Sequence, residues 1–165
     1  MKKTVLVITL FALSGALIAS DMPTPQYQFS GEEAVKCLMR NGDCRDCDLS
    51  NQDLRSIMAQ VNRKYRKQFT FPDLSGANLS GANLSGVDLS CATMRDTNLT
   101  GADLTNANLS DAIITDVDLS GANLINANLS GATMRNVNMT GANTTGIDMT
   151  HVGGLSTVIG YTPTR

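Results

Sequence analysis

From residue 77 the chain reads Ala-Asn-Leu-Ser-Gly (77–81), Ala-Asn-Leu-Ser-Gly (82–86), Val-Asp-Leu-Ser-Cys (87–91), and this five-residue phrase runs without a gap from Pro72 to His151. Of its sixteen units, fifteen carry Leu, Met or Ile at the centre; Thr144 is the departure. Two residues before the centre stands a small or β-branched residue, Ala in ten units, and between them Asn or Asp in thirteen. Ser or Thr follows the centre in thirteen units, and the last position is Gly in eight and Asn or Asp in six.

Neither standard period accommodates this pattern. Five residues of α-helix advance about 500°, so the Leu row would spiral around the axis. Five residues of straight strand are an odd step, so successive Leu would face opposite sides. A chain that bends by roughly 90° after each unit keeps every centre, and the Ala two before it, pointing inward, and Gly, Asn and Asp are the residues that bends favour. Four bends close a square, which predicts twenty residues per coil.

The higher period tests that expectation independently. Residues 91–110, 111–130 and 131–150 align without gaps, and the irregular Ala-Thr-Met-Arg at 92–95 recurs at 132–135 with Ala112-Ile-Ile-Thr115 between them. Inward columns follow: Leu74, Met94, Ile114 and Met134 on one wall, and Thr97, Val117 and Val137 on the next. Four coils at about 4.8 Å each make a rod of roughly 19 Å, its lumen filled by Leu and Ala. Composition agrees with a narrow core. The chain of 165 residues is 42% apolar but 4% aromatic, without Trp, and no aromatic lies within 72–160.

The units resemble the pentapeptide-repeat family, whose pattern is Ala-Asp/Asn-Leu-x-x in tandem, over residues 47–151. That resemblance implies an all-β solenoid, a right-handed quadrilateral β-helix. The entry Cys44-x-x-Cys47-Asp48-Leu49-Ser50 also looks like the start of the repeats in many secreted or cyanobacterial-type members.

Before the repeats, residues 1–20 read as a Sec signal peptide: Lys2 and Lys3, an apolar run from Val5 to Ala19, and small-residue exits after Ala19 or Ser20. The run is short for a stable membrane anchor. The expected location is periplasmic or secreted, in an oxidising compartment. Residues 21–46 hold an extended leader and then a short capping helix, with Ser30 and Glu33 at capping-box spacing, Ala34, Cys37 and Leu38 on one face, and a stop at Asn41-Gly42. Units at 47–51 and 52–56 keep the repeat, and 57–61 keeps it loosely with Ala59 central. From Cys47 to Pro72 is one coil plus five residues, so roughly 60–66 is expected to bulge as a basic loop (60–68 at its widest), with Phe69 central in the unit that returns to the wall. Residues 152–165 drop the pattern and read as a C-terminal cap or a homodimerisation segment, with Leu155 to Tyr161 as a closing strand.

No catalytic constellation stands out. The single His151 is a corner residue, and the Asp residues of 72–151 occupy pattern or corner positions, so no enzyme activity, metal or cofactor is expected. Cys37, Cys44 and Cys47 lie within eleven residues and point to a structural disulfide of unassigned pairing at the cap, with Cys91 left as a thiol. Arg63, Lys64, Arg66 and Lys67 around Tyr65 form a possible anion- or partner-binding loop, although a solvated loop needs no ligand. Arg95 and Arg135 share an outward column, with Asp96 and Asp116 as their simplest partners.

Charge is segregated along the chain. Residues 72–151 carry two Arg and eight Asp, whereas 21–71 carry eight basic and seven acidic residues. A net charge of −2, or −4 once Lys2 and Lys3 are removed, excludes a generally basic nucleic-acid binder. The expected function is that of an exported, non-enzymatic solenoid that binds or scaffolds a protein or envelope component. The alternative, implied by family members that protect DNA gyrase, is an acidic DNA mimic, and it requires retention in the cytoplasm. An outward ladder of Ser80, Thr100, Ser120 and Thr140 raises ice binding, but the Asn and Asp beside it spoil a flat Thr surface.

Overall fold

The computed structural model describes residues 29–41, 44–65 and 71–161. The signal peptide, most of the leader, Arg66, Lys67 and Phe69 lie outside the described residues. In chain order the elements are β1 (Phe29–Ser30), α1 (Gly31–Asn41), β2 (Cys47–Asp48), α2 (Arg55–Tyr65), β3 (Thr93–Arg95), β4 (Ile113–Thr115) and β5 (Thr133–Arg135), followed by a single 3-10 turn at Leu155–Thr157.

Residues 72–151 wind into four coils of twenty residues, each a square of four short walls centred, in the first of them, on Leu74, Leu79, Leu84 and Leu89. Every coil bonds to the next in parallel with an offset of twenty: Asn78 bridges Asn98, Asn83 bridges Asp103, Asp88 bridges Asn108, and β3, β4 and β5 stack on the first wall as Met94, Ile114 and Met134. The centres and the Ala residues two before them are buried from Leu74 through Met139. The one buried polar side chain among the described residues, Thr97, occupies a Val column and donates its hydroxyl to the Leu74 carbonyl at 3.0 Å.

The corners follow the expected chemistry. All sixteen last positions, from Gly76 to His151, adopt positive φ. Glycine and the short amide and carboxylate side chains enter that region at least cost, which is why they predominate there. The Asn or Asp before each centre makes a second local lock. Its Oδ1 accepts the N–H two residues on, for example Asn78 from Ser80 at 3.1 Å and Asp118 from Ser120 at 2.9 Å.

The first coil departs from the sequence reading in two ways. Asp48 bridges Asn78 and Asp53 bridges Asn83, an offset of thirty, so the Cys47 unit stacks on the second wall. Cys44, not Cys47, begins the stack over Leu74, with its N–H on the Asp73 carbonyl at 2.8 Å. Residues 60–65, expected as part of a bulging loop, belong to the helix α2, and the loose unit at 57–61 is not a wall. Leu54, Met58 and Val61 recur at helical spacing and are buried together against the rod, and this apolar face outweighs the weak repeat signal of Ala59.

At the same end α1 lays Ala34 and Leu38 into the core, while Cys37 is only partly buried. Glu33 does not complete a capping box; it pairs with Lys36 at 2.8 Å. At the far end, residues 152–161 form no continuous closing strand. Gly153 bridges Thr133 and Ile159 bridges Asn138, with the 3-10 turn between them.

Candidate functional site

The α2 insertion is where the fold stops being a uniform rod. Asp53 supplies the same local lock as the Asn and Asp residues of the repeats, accepting the Arg55 N–H at 3.2 Å, but here Arg55 opens a helix instead of continuing a wall. Arg55 returns its guanidinium to Asp53 at 2.9 and 2.6 Å, and these hydrogen bonds, from the side chain first and then the backbone, lower the Asp53 carboxyl to about 2.

Between α2 and the corner joining the third and fourth walls runs a cleft of about 490 Å³ lined by Arg55, Ala59, Asn62, Arg63, Gly86, Val87 and Asp88. Arg55, Ala59 and Arg63 are four residues apart on α2 and share one face, so two guanidiniums flank a small apolar patch. Asn62 ties α2 to the rod, donating Nδ2 to the Asp88 carbonyl at 2.6 Å in the place a missing wall would have used. Arg63 is exposed and, among the described residues, makes no ion pair. Chemically, the cleft offers one unneutralised guanidinium beside Ala59 and Val87, a setting that suits a carboxylate on a partly apolar segment.

The basic residues singled out from the sequence therefore part company. Arg63 lines the cleft. Lys64 instead donates Nζ to the Arg40 carbonyl at 2.9 Å and the Met39 carbonyl at 3.4 Å, closing the C-terminal end of α1. Arg66 and Lys67 lie outside the described residues. Arg55 and Asn62 are not legible in the sequence as site residues, because the five-residue pattern puts Arg55 in the 52–56 unit and Asn62 in the expected loop; the spacing of Leu54, Met58 and Val61 is the signal for the helix that brings them together.

Of the cysteines, Cys44 and Cys47 are joined in a disulfide, with Cα atoms 5.4 Å apart, and both are fully buried. Cys44 Sγ lies 3.3 Å from the Ala34 carbonyl, so the bridge sits under α1. Cys37 and Cys91 are outside it. Arg95 and Arg135 are exposed and make no ion pair among the described residues; Asp116 accepts Asn136 Nδ2 at 2.9 Å instead. Among the described residues no group of His, Cys, Asp or Glu is placed to hold a metal, and no helix is long and apolar enough to cross a membrane.

A four-sided coil of twenty residues, with small inward residues and left-handed corners, defines a quadrilateral β-helix. The pentapeptide repeats family matches in eight copies, over residues 68–101, 102–141 and 112–150. The chain belongs to the pentapeptide-repeat family, whose members are right-handed quadrilateral β-helices. It is similar to a pentapeptide repeat protein of the Arabidopsis thaliana thylakoid lumen, at 33% identity and a TM-score of 0.50, covering 76% of this chain and 70% of that one. It is also similar to the pentapeptide repeat protein Rfr23 of the cyanobacterium Cyanothece 51142, at 26% identity and a TM-score of 0.52, covering 78% of this chain and 97% of that one. Among curated protein sequences none matches the chain significantly.

Proposed function

We propose that this protein is an exported, non-enzymatic β-helix that holds an acidic protein or envelope component in the cleft between α2 and the rod. The observation that carries the reading is the α2 insertion itself: it interrupts the repeat and leaves Arg63 unneutralised beside Val87. A binding module needs a rigid platform, and the parallel stack supplies one because the four coils of 72–151 are bonded to one another along every wall. The Cys44–Cys47 bridge and α1 close the N-terminal end of that platform, and Lys64 braces them.

Three features support export: the signal-like residues 1–20, a buried disulfide, and the lumenal location of the Arabidopsis relative. Edman sequencing of the secreted or periplasmic protein should begin at Ser20 or Asp21; recovery of an intact Met1 chain from the cytoplasm overturns the export reading. For the cleft, fluorescence anisotropy with a labelled poly-glutamate peptide should show binding that weakens with salt and falls about tenfold or more in Arg63→Glu. Equal affinity for the variant removes the cleft from the reading. No specific observation favours the gyrase-directed alternative.

A further inference from the structure

The repeat shows at each position what the rod itself requires, so its departures mark where the rod serves something else. Asn or Asp fills the position before the centre in all but three of the sixteen units, and those three, Thr93, Ile113 and Thr133, stand on the first wall of successive coils. Ser or Thr follows the centre in all but three units, and two of those, Arg95 and Arg135, lie on the same wall. Five of these six departures therefore share one outer face. Here the chain forms β3, β4 and β5, paired in register as Thr93, Ile113 and Thr133 in one outward column and Arg95, Thr115 and Arg135 in the next. The first column is half-buried and lays a stripe of methyl groups along the rod. Beside it Arg95 and Arg135 are exposed, and neither makes an ion pair among the described residues. Arg45 heads their column above Ser75, but it already lies 3.9 Å from Asp73.

We propose that this wall is a docking face for an amphipathic α-helix of a partner protein, laid along the rod with two carboxylates seven residues apart. Arg95 and Arg135 are two coils apart, about 9.6 Å along the rod axis. Two turns of α-helix advance about 10.5 Å and return a side chain to the same line, so Glu or Asp at i and i+7 meets both guanidiniums. Each guanidinium can hold its carboxylate through two N–H groups. The residue at i+3 or i+4, midway between the carboxylates and to one side of their line, lands over Ile113. An extended strand fits poorly, because about 9.6 Å is three residues of strand, an odd step that turns the second carboxylate away. The surrounding charge selects against a wholly anionic partner. Asp96 and Asp116 are exposed along the adjoining corner, where Asp116 holds Asn136 Nδ2 at 2.9 Å. A polyanion would lie against those carboxylates, whereas a helix can set acidic residues on the Arg column and basic ones on the corner. No aromatic lies within 72–160, so the wall offers no ring on which a sugar could stack. The face is separate from the α2 cleft and uses none of its residues.

The probe is a synthetic alanine-based helical peptide with two Glu seven residues apart, Leu midway between them and Lys along one flank. Titrated into the isotopically labelled full chain, it should shift the amide resonances of β3, β4 and β5 and leave those of α2 in place. Arg95→Glu with Arg135→Glu, both at exposed outward positions, should weaken binding about tenfold or more with Tm unchanged. That double variant should bind a peptide in which Lys replaces the two Glu, so a damaged fold cannot pass for a lost contact. A peptide with its two Glu four residues apart should bind about tenfold more weakly than the first, since one turn does not reach the second guanidinium. Absence of binding, equal affinity for the two Glu spacings, failure of the Lys peptide to rescue the double variant, or shifts confined to α2 would each overturn the proposal. Tighter binding of hyaluronan, a glycan with a carboxylate on every second sugar, overturns it in favour of a polysaccharide partner.

Discussion

Sixteen consecutive corners hold a residue at positive φ, and in eight of them that residue is not glycine. Six of the eight are Asn or Asp, which tolerate the left-handed region, but Cys91 at φ 60° and His151 at φ 56° gain no such relief. Cys91→Asn should therefore raise stability by about 1 kcal/mol, read as a higher Tm, because the backbone bond from residue 91 to the Ser110 carbonyl is kept while strain is removed. The aspartates make a second prediction at this scale. Asp53 is lowered to about 2 by Arg55. Burial raises Asp118, but hydrogen bonds from Ser120, Thr100 and Asn138 outweigh it and hold the carboxyl below its usual range. Asp148 is lowered by the Thr150 N–H and hydroxyl. An unfolded aspartate titrates near 3.9, so at acid pH the unfolded chain binds protons that the fold refuses. This stabilisation is complete above about pH 5 and disappears as pH falls through the folded values. Thermal melts between about pH 5 and 2 should show Tm falling, with a shallower slope in Asp53→Asn and Asp118→Asn; equal slopes would contradict this.

The elements differ in how plainly they could be read. The walls were legible because each needs only five residues: an inward Ala and Leu, an Asn or Asp lock between them, and a left-handed corner. Helix α2 was not, because Leu54 serves both the five-residue pattern and the 54, 58, 61 helical face, and local sequence does not choose between them. Of the site, Arg63 was legible as an exposed basic residue, whereas the cleft depends on Val87 and Asp88 arriving from a coil that closes only after the insertion. Within a wall, packing should dominate. Leu104→Ala, at a fully buried centre, should cost about 2–5 kcal/mol with no room to relax between two coils. Thr97→Val should cost under about 1 kcal/mol: its columns continue as Val117 and Val137, and the Leu74 carbonyl that loses the hydroxyl is the main loss. Urea melts that rank these two substitutions in reverse would contradict a lumen packed by side-chain volume.

As a whole the molecule is a stack in which stability is shared between neighbours, so its ends matter more than their size suggests. The two ends are built differently. One is closed by α1, the Cys44–Cys47 bridge and α2; the other is half covered by residues 152–161. A chain ended at Thr150 would expose Met134, Val137 and Met139 as well as walls three and four. It should melt earlier than the full chain and aggregate at concentrations where the full chain stays soluble. An unchanged melt and a soluble monomer would show that the half-layer contributes nothing to closure.

The five-residue wall, the twenty-residue coil, the ring-free lumen and the corner residues were determined by the sequence alone, because each is settled by interactions within one unit or by a strict repeat of it. The stacking of Cys44 over Leu74, the exit of residues 55–65 as a helix, the release of Lys64 from the basic cluster to brace α1, and the half-open last coil were decided only by the tertiary structure. Each depends on hydrogen bonds and apolar contacts between residues twenty or more positions apart, and a wall has no partner until the neighbouring coil is laid against it.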